Sequence, residues 1–287
     1  MVTETTGKIT FDQVERVVGQ IGFAPEEDSD DTQRIHWTLF RTSGVPRQVN
    51  IHDARPISGE LSLDREGFVL VQHEIAALTE RESPPFVSKY IEEMAAFIKA
   101  YLGASWVVPW VRAGELGEAN VLLSAATLRS AAAGSKHTPA PLAHIDFSSK
   151  YAPAVAALAN RAHGISRRAY SRMMLIQAWC ALSPPPQDLP LAIADGRTVA
   201  DTDLIEDWGD HPNRKSVSPG WVLRHSPTQV WYYFSNMKQD EFIIFKGYDS
   251  DESRNTKCAH TSFDNRRAFP NATPRESIET RFWVYFE

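Results

Sequence analysis

Two cysteines, Cys180 and Cys258, in 287 residues leave no material for a disulfide framework. That excludes the small secreted scaffolds stapled by several bridges and suits a reducing compartment. No apolar run approaches the roughly 18 residues of a membrane span. The opening stretch, MVTETTGKITFDQ, lacks the apolar core of a signal peptide. Together these absences predict a cytoplasmic protein with no membrane partner. Basic residues are too few for a nucleic-acid surface: 30 Lys and Arg face 36 Asp and Glu, a formal net charge of −6. No internal repeat is evident. What remains is ordinary for a globular chain, 43% hydrophobic and 23% charged.

Short β-rich runs separated by turn signals dominate the second half. They include SRMMLIQAWCALS, PLAIADGRTV, GWVLRHS, QVWYYFS, DEFIIFKGYDS, CAHTSFD and SIETRFWVYF, with a Pro-rich turn at PPPQDLP. In the first half RIHWTLF, RQVNIHD and GFVLVQHEI also read as strands. PPFVSKYIEEMAAFIKAYLGA is the clearest helix: Phe86, Tyr90, Met94, Phe97 and Ile98 recur at helical spacing and Gly103 is a stop. APAVAALANRAHG reads as a second, shorter helix ending at Gly164, and ANVLLSAATLRSAAAG is ambiguous between helix and strand. The pattern predicts a mainly β protein with flanking helices, one domain over 1–287. Within it, 1–32 reads as tail and acidic loop, 33–135 as N-terminal strands and helices, and 136–287 as the β-core.

In PLAHIDFSS, residues 141–149, a histidine and an aspartate stand two apart in an apolar setting. In an extended strand i and i+2 share a face, so His144 and Asp146 would project together while Ile145 and Phe147 point away. That pair is half a metal site or two polar residues at a strand end. Most of the nine histidines have ordinary surface or core explanations: His36, His52, His73, His137, His163 and His211. His225 introduces an aromatic strand and is the reserve candidate. His260, in KCAHTSFD, is set apart by PRESIETRF downstream, where Arg275 and Ser277 share a face in an extended segment.

Two imidazoles and one carboxylate on one face of an octahedral ion leave positions open, the triad of non-haem Fe(II) oxygenases. A 2-oxoacid can chelate through two of them and O2 can take another. A planar Arg fork with a neighbouring hydroxyl suits the distal carboxylate of 2-oxoglutarate. The expected site is therefore His144, Asp146 and His260 on iron, with Arg275 and Ser277 on the cosubstrate. Arg275 could instead pair with Glu276 or Glu279 at the surface. The acidic GYDSDES lacks calcium-loop spacing and reads as a solvated turn.

These segments resemble the iron/2-oxoglutarate oxygenases with a double-stranded β-helix core. They are most similar to the natural-product group typified by gibberellin desaturase and the cephamycin methoxylation proteins. LDREGFVLVQHE, AHIDFS, PLAIADGRT, VWYYFSNMKQDEFIIFKGYDS, AHTSFD and PRESIETR carry the resemblance, from about RQVNIHDARP to the end. It implies a jelly-roll-like (cupin-like) core, the same three iron ligands, the Arg275/Ser277 clamp, and Fe(II), 2-oxoglutarate and O2 as cofactor and cosubstrates. The reaction implied is oxidation of an unactivated C–H bond of a small molecule to a hydroxyl, an alkene or a ring, in secondary metabolism. It puts Gln177, Trp179 and Trp231 on strands near the metal as substrate contacts, although alternating aromatics more often pack a core. One departure stands out: QAWCAL carries Cys180 where an Arg is expected, which predicts a less cationic site. Two rivals stay open at this point, a 2-oxoglutarate-independent metal enzyme on the same fold and a non-catalytic β-sandwich binding protein.

Overall fold

The computed structural model describes residues 14–25, 44–111, 125–135, 137–166, 168–207 and 219–287. The run RIHWTLF, most of the acidic stretch, His36 and His211 lie outside them. In chain order the elements are β1 (Arg16–Phe23), β2 (Val45–Asp53), β3 (Phe68–Gln72), α1 (Phe86–Leu102), β4 (Trp106–Pro109), β5 (Ala126–Ser130), β6 (His144–Ile145) and α2 (Ala152–Ala162). Then follow β7 (Arg172–Ala181), β8 (Leu191–Ala194), β9 (Leu204–Asp207), β10 (Gly220–Leu223), β11 (Trp231–Tyr233), β12 (Glu241–Asp249), β13 (His260–Ser262) and β14 (Glu276–Phe286).

The strands form two sheets. An eight-stranded sheet runs β1-β2-β11-β8-β13-β6-β10-β9, and a six-stranded sheet runs β3-β12-β7-β14-β4 with β5 also paired to β14. Side chains alternate across each strand, so the apolar layers follow from parity. Trp179, Ile243 and Phe245 of one sheet meet Leu191, Ile193 and Tyr232 of the other in the layer between them. On the outer face of the smaller sheet, Ile176, Ala178, Ile278 and Phe282 pack against Tyr90, Met94 and Ile98 of α1. Gly103 closes α1 with φ +64°, the left-handed cap that glycine adopts without a Cβ clash.

Residues 16–23, read as tail, form β1 and pair antiparallel along all of β2. Strands of the segment 33–135 join the same sheets as those of 136–287: β2 pairs β11, β3 pairs β12 and β4 pairs β14. The described part of the ambiguous segment at 119–134 is strand, with Ala126–Ser130 paired to β14. The acidic turn is only half solvated, because Asp249 is buried and bonded to Lys246 and Arg172.

Candidate metal and cosubstrate site

His144 and His260 sit directly opposite each other on adjacent antiparallel strands, β6 and β13. Their rings lie 4.3 Å apart between centroids. β6 ends at Ile145, so Asp146 comes from the bend after the strand and not from a continued strand as expected. It converges nonetheless: its carboxylate is 3.6 Å from His144 Nε2 and 4.0 Å from His260 Nε2. One ligand atom from each residue falls within 4.8 Å of the others.

The backbone fixes how the imidazoles face. Nδ1 of His144 lies 2.7 Å from the Leu142 carbonyl, and Nδ1 of His260 lies 3.4 Å from the Cys258 carbonyl. A carbonyl only accepts, so each Nδ1 carries the proton and each Nε2 keeps its lone pair for the cluster. Burial, with His260 alongside, pulls the His144 pKa down to about 4, so it is neutral at pH 7. Burial works against ionised Asp146, but Arg281 and the two histidines outweigh it and hold the carboxyl well below its usual range. A neutral imidazole at His144 and an ionised carboxylate at Asp146 are forms a metal requires.

β14 supplies the other wall. Arg275 just precedes the strand, and Ser277, Glu279 and Arg281 follow at alternate positions; all four line one cavity with His144, His260 and Trp179. The cavity is partly open to solvent. Arg275 is buried, donates from Nη1 to the Leu189 carbonyl at 2.7 Å, and has no partner for Nε. Its guanidinium carbon stands 5.5 Å from the Trp179 ring centroid. Burial, reinforced by nearby Arg129, pulls its pKa down to about 9. A buried cation with an unpaired donor beside a second cation is built to meet an anion. The donor set thus fits a divalent metal next to a carboxylate-bearing ligand.

The remaining expected contacts fare differently. Gln177 faces the site, but its Nε2 donates to Asp146 Oδ2 at 2.7 Å and to Glu279 Oε1 at 3.0 Å, so it binds carboxylates of the protein. Trp179 lines the cavity. Trp231 does not reach it. It packs with Phe23, Ala143, Ile145 and Ala259 on the far face of the larger sheet, opposite the face carrying His144 and His260. Cys180 likewise points away, into the layer under α1. The expected loss of cationic character is therefore overturned: position 180 does not face the site, while Arg275 and Arg281 do. His225, the reserve ligand, lies edge-on to Phe23 at 5.1 Å. Glu279, read in the sequence only as a possible ion-pair partner of Arg275, and Arg281, not singled out there, are both cavity residues. The alternation R-x-S-x-E-x-R was the signal that could have placed them.

A family model described as "Oxidoreductase/YMDC permease-like domain" matches residues 24–285. Among the described residues no helix is long and apolar enough to cross a membrane. The chain is 33% identical over 249 residues to "Fe(II)/2-oxoglutarate-dependent dioxygenase nvfI" of Aspergillus novofumigatus, covering 84% of each. It is 32% identical over 254 residues to "Hydroxylase/desaturase efuI" of Hormonema carpetanum, covering 83% of each. A solved structure of the "iron and alpha-ketoglutarate-dependent endoperoxidase NvfI" superposes with a TM-score of 0.73 at 26% identity, covering 94% of this chain and 98% of that one. The two facing sheets are the double-stranded β-helix core that this likeness carries.

Proposed function

This chain belongs to the Fe(II)/2-oxoglutarate-dependent dioxygenases, and on that premise we propose that His144, Asp146 and His260 hold the iron while Arg275, helped by Ser277, grips the distal carboxylate of 2-oxoglutarate. The enzyme is an oxidoreductase that uses iron, 2-oxoglutarate and O2 to oxidise a C–H bond of a small molecule by hydroxylation, desaturation or ring formation. What the metal and cosubstrate supply when bound is O2 activation; the chain supplies position and exclusion of water.

The two imidazoles present Nε2 lone pairs from neighbouring strands with their Nδ1 protons tied to backbone, so neither ring has to reorient on binding. Arg275 stands on the same wall as Ser277, and its unpaired Nε lets it take a carboxylate without first breaking a bond on that atom. Phe245, 4.8 Å from the His260 ring, and Trp179 form an apolar wall that keeps solvent from this corner.

The observation that carries the assignment is the buried Arg275 with its orphaned Nε, beside a His/Asp/His cluster converging within 4.8 Å. Anaerobic titration with Fe(II) and then 2-oxoglutarate tests it. The wild type should take up one equivalent of each and develop a visible charge-transfer band, and His260→Ala should not. Absence of stoichiometric uptake by the wild type would overturn the assignment.

The net charge of −6 supports a reading without a nucleic-acid partner. Two free, buried thiols support a reducing, cytoplasmic setting.

A further inference from the structure

Asp146 presents Oδ1 at 3.6 Å from His144 Nε2 and Oδ2 at 4.0 Å from His260 Nε2, but among the described residues only Oδ2 is engaged by neighbouring donors. Its Oδ2 accepts from Gln177 Nε2 at 2.7 Å, Arg281 Nη2 at 2.8 Å and Arg281 Nε at 3.0 Å. Three donors on one carboxylate oxygen occupy its lone-pair directions. The donors are themselves fixed. Arg281 Nη2 also pairs with Glu279 Oε1 at 2.6 Å, and Gln177 Nε2 bridges to that same Glu279 oxygen at 3.0 Å. Arg281 Nη1 donates to Thr127 Oγ1 at 3.0 Å on β5. Gln177 and Arg281 are directly paired across β7 and β14, so the sheet sets their spacing. Gln177, Glu279 and Arg281 are all buried.

Resting on the iron assignment above, we propose that Arg281, with Gln177 and Glu279, is a positioning unit that restricts Asp146 to binding the metal through Oδ1 alone. The physical reason is competition for lone pairs. A carboxylate with both oxygens free can close on a divalent ion bidentately. That would take up a position that 2-oxoglutarate needs for chelation. An oxygen already engaged by a guanidinium fork and an amide is a poor second ligand. The fork also carries positive charge, which opposes a cation approaching Oδ2. None of the three residues touches the reacting atoms in this scheme; they act through Asp146.

The inference makes a prediction that a merely structural role does not. In Arg281→Met the Oδ2 lone pairs and the local negative charge are released. Affinity for Co(II), used as a spectroscopic probe, should hold or tighten. The visible band of the Co(II) protein should change intensity as the second oxygen enters the coordination shell. Affinity of that Co(II) protein for 2-oxoglutarate should fall, because the second carboxylate oxygen takes a position that chelation needs. Arg281→Lys keeps the charge without the fork and should lie between Met and wild type. Gln177→Leu removes one donor at little change in volume and should shift the same readouts less.

Thermal melting accompanies each titration. Two results overturn the inference: a folded Arg281→Met whose Co(II) spectrum and 2-oxoglutarate affinity match the wild type, or Co(II) and 2-oxoglutarate affinities that fall in parallel with melting temperature. If Arg281→Met fails to fold, Gln177→Leu decides by the same two criteria. Failure of the wild type itself to bind Co(II) and 2-oxoglutarate would instead overturn the assignment on which the inference rests.

Discussion

Arg275 lies over the face of Trp179, so the cation proposed to grip 2-oxoglutarate rests on an aromatic surface.

Trp179→Ala should therefore weaken cosubstrate binding, beyond any effect on substrate. Loss of a desolvated cation–π contact is worth about 0.5–2 kcal/mol, roughly two- to thirtyfold in apparent 2-oxoglutarate affinity. Loss of a buried indole costs about 3–5 kcal/mol of stability. Trp179→Phe should recover much of both. Titration beside thermal melting checks this, and unchanged 2-oxoglutarate affinity in folded Trp179→Ala would dissociate the indole from the clamp.

Arg275→Ala should raise the 2-oxoglutarate requirement steeply, a loss on the order of 2–5 kcal/mol for a buried charge left without its partner. Arg275→Lys should be intermediate because an ammonium cannot supply a planar fork. Metal content should stay near that of the wild type in both variants. If apparent affinity is unmoved in both, the carboxylate is held elsewhere.

Ala substitution of His144, Asp146 or His260 should abolish stoichiometric iron with little change in far-ultraviolet circular dichroism. His225→Ala is the contrasting control. Its ring packs edge-on to Phe23 on the other side of the larger sheet, so iron content should remain full. Metal analysis of the purified variants separates these outcomes.

Acid should destabilise the fold partly through Asp64 and Glu241. Burial would raise both, but Lys246 and Arg172 on Asp64, and Arg55 with the Lys238 backbone on Glu241, outweigh it and hold both carboxyls below their ordinary values of 3.8 and 4.5. A depressed carboxyl stabilises above the unfolded pKa, and that contribution is lost as pH falls toward the folded one. Melting temperature should therefore decline as pH drops below about 4.5. Asp64→Asn should flatten part of that decline, and an identical acid limb would remove Asp64 from the account.

Parity explains what could be read from the chain and what could not. The period-two rule that joined His144 to Asp146 and Arg275 to Ser277 applies equally to Glu279 and Arg281, and it is the rule that turns Cys180 away from Trp179. The rule does not say which face of a strand buried on both sides looks inward. Trp231 and Tyr233 pack on one side of β11 and Tyr232 on the other, and nothing in VWYYF distinguishes them. β1 escaped for a different reason. Gly19 interrupts its apolar pattern because Ile51 and Phe263 crowd that position, where an added Cβ would stand 2.6 Å from each. Glycine inside a run argues against a strand locally; here a long-range contact requires it.

β14 also limits how this sequence can change. From Ser277 to Arg281 its odd-numbered residues line the cavity, while Ile278, Phe282 and Val284 pack in the layer under α1. Inserting or deleting one residue between Arg275 and Arg281 would exchange the two sets along part of the strand. Apolar side chains would enter the polar cavity and charged ones the apolar layer, so fold and activity would fail together. A two-residue change preserves the alternation but displaces Arg275 from Trp179 or Arg281 from Gln177. Length in this segment is thus more tightly constrained than the identity of any even-numbered residue, several of which could be exchanged for another apolar residue of similar volume.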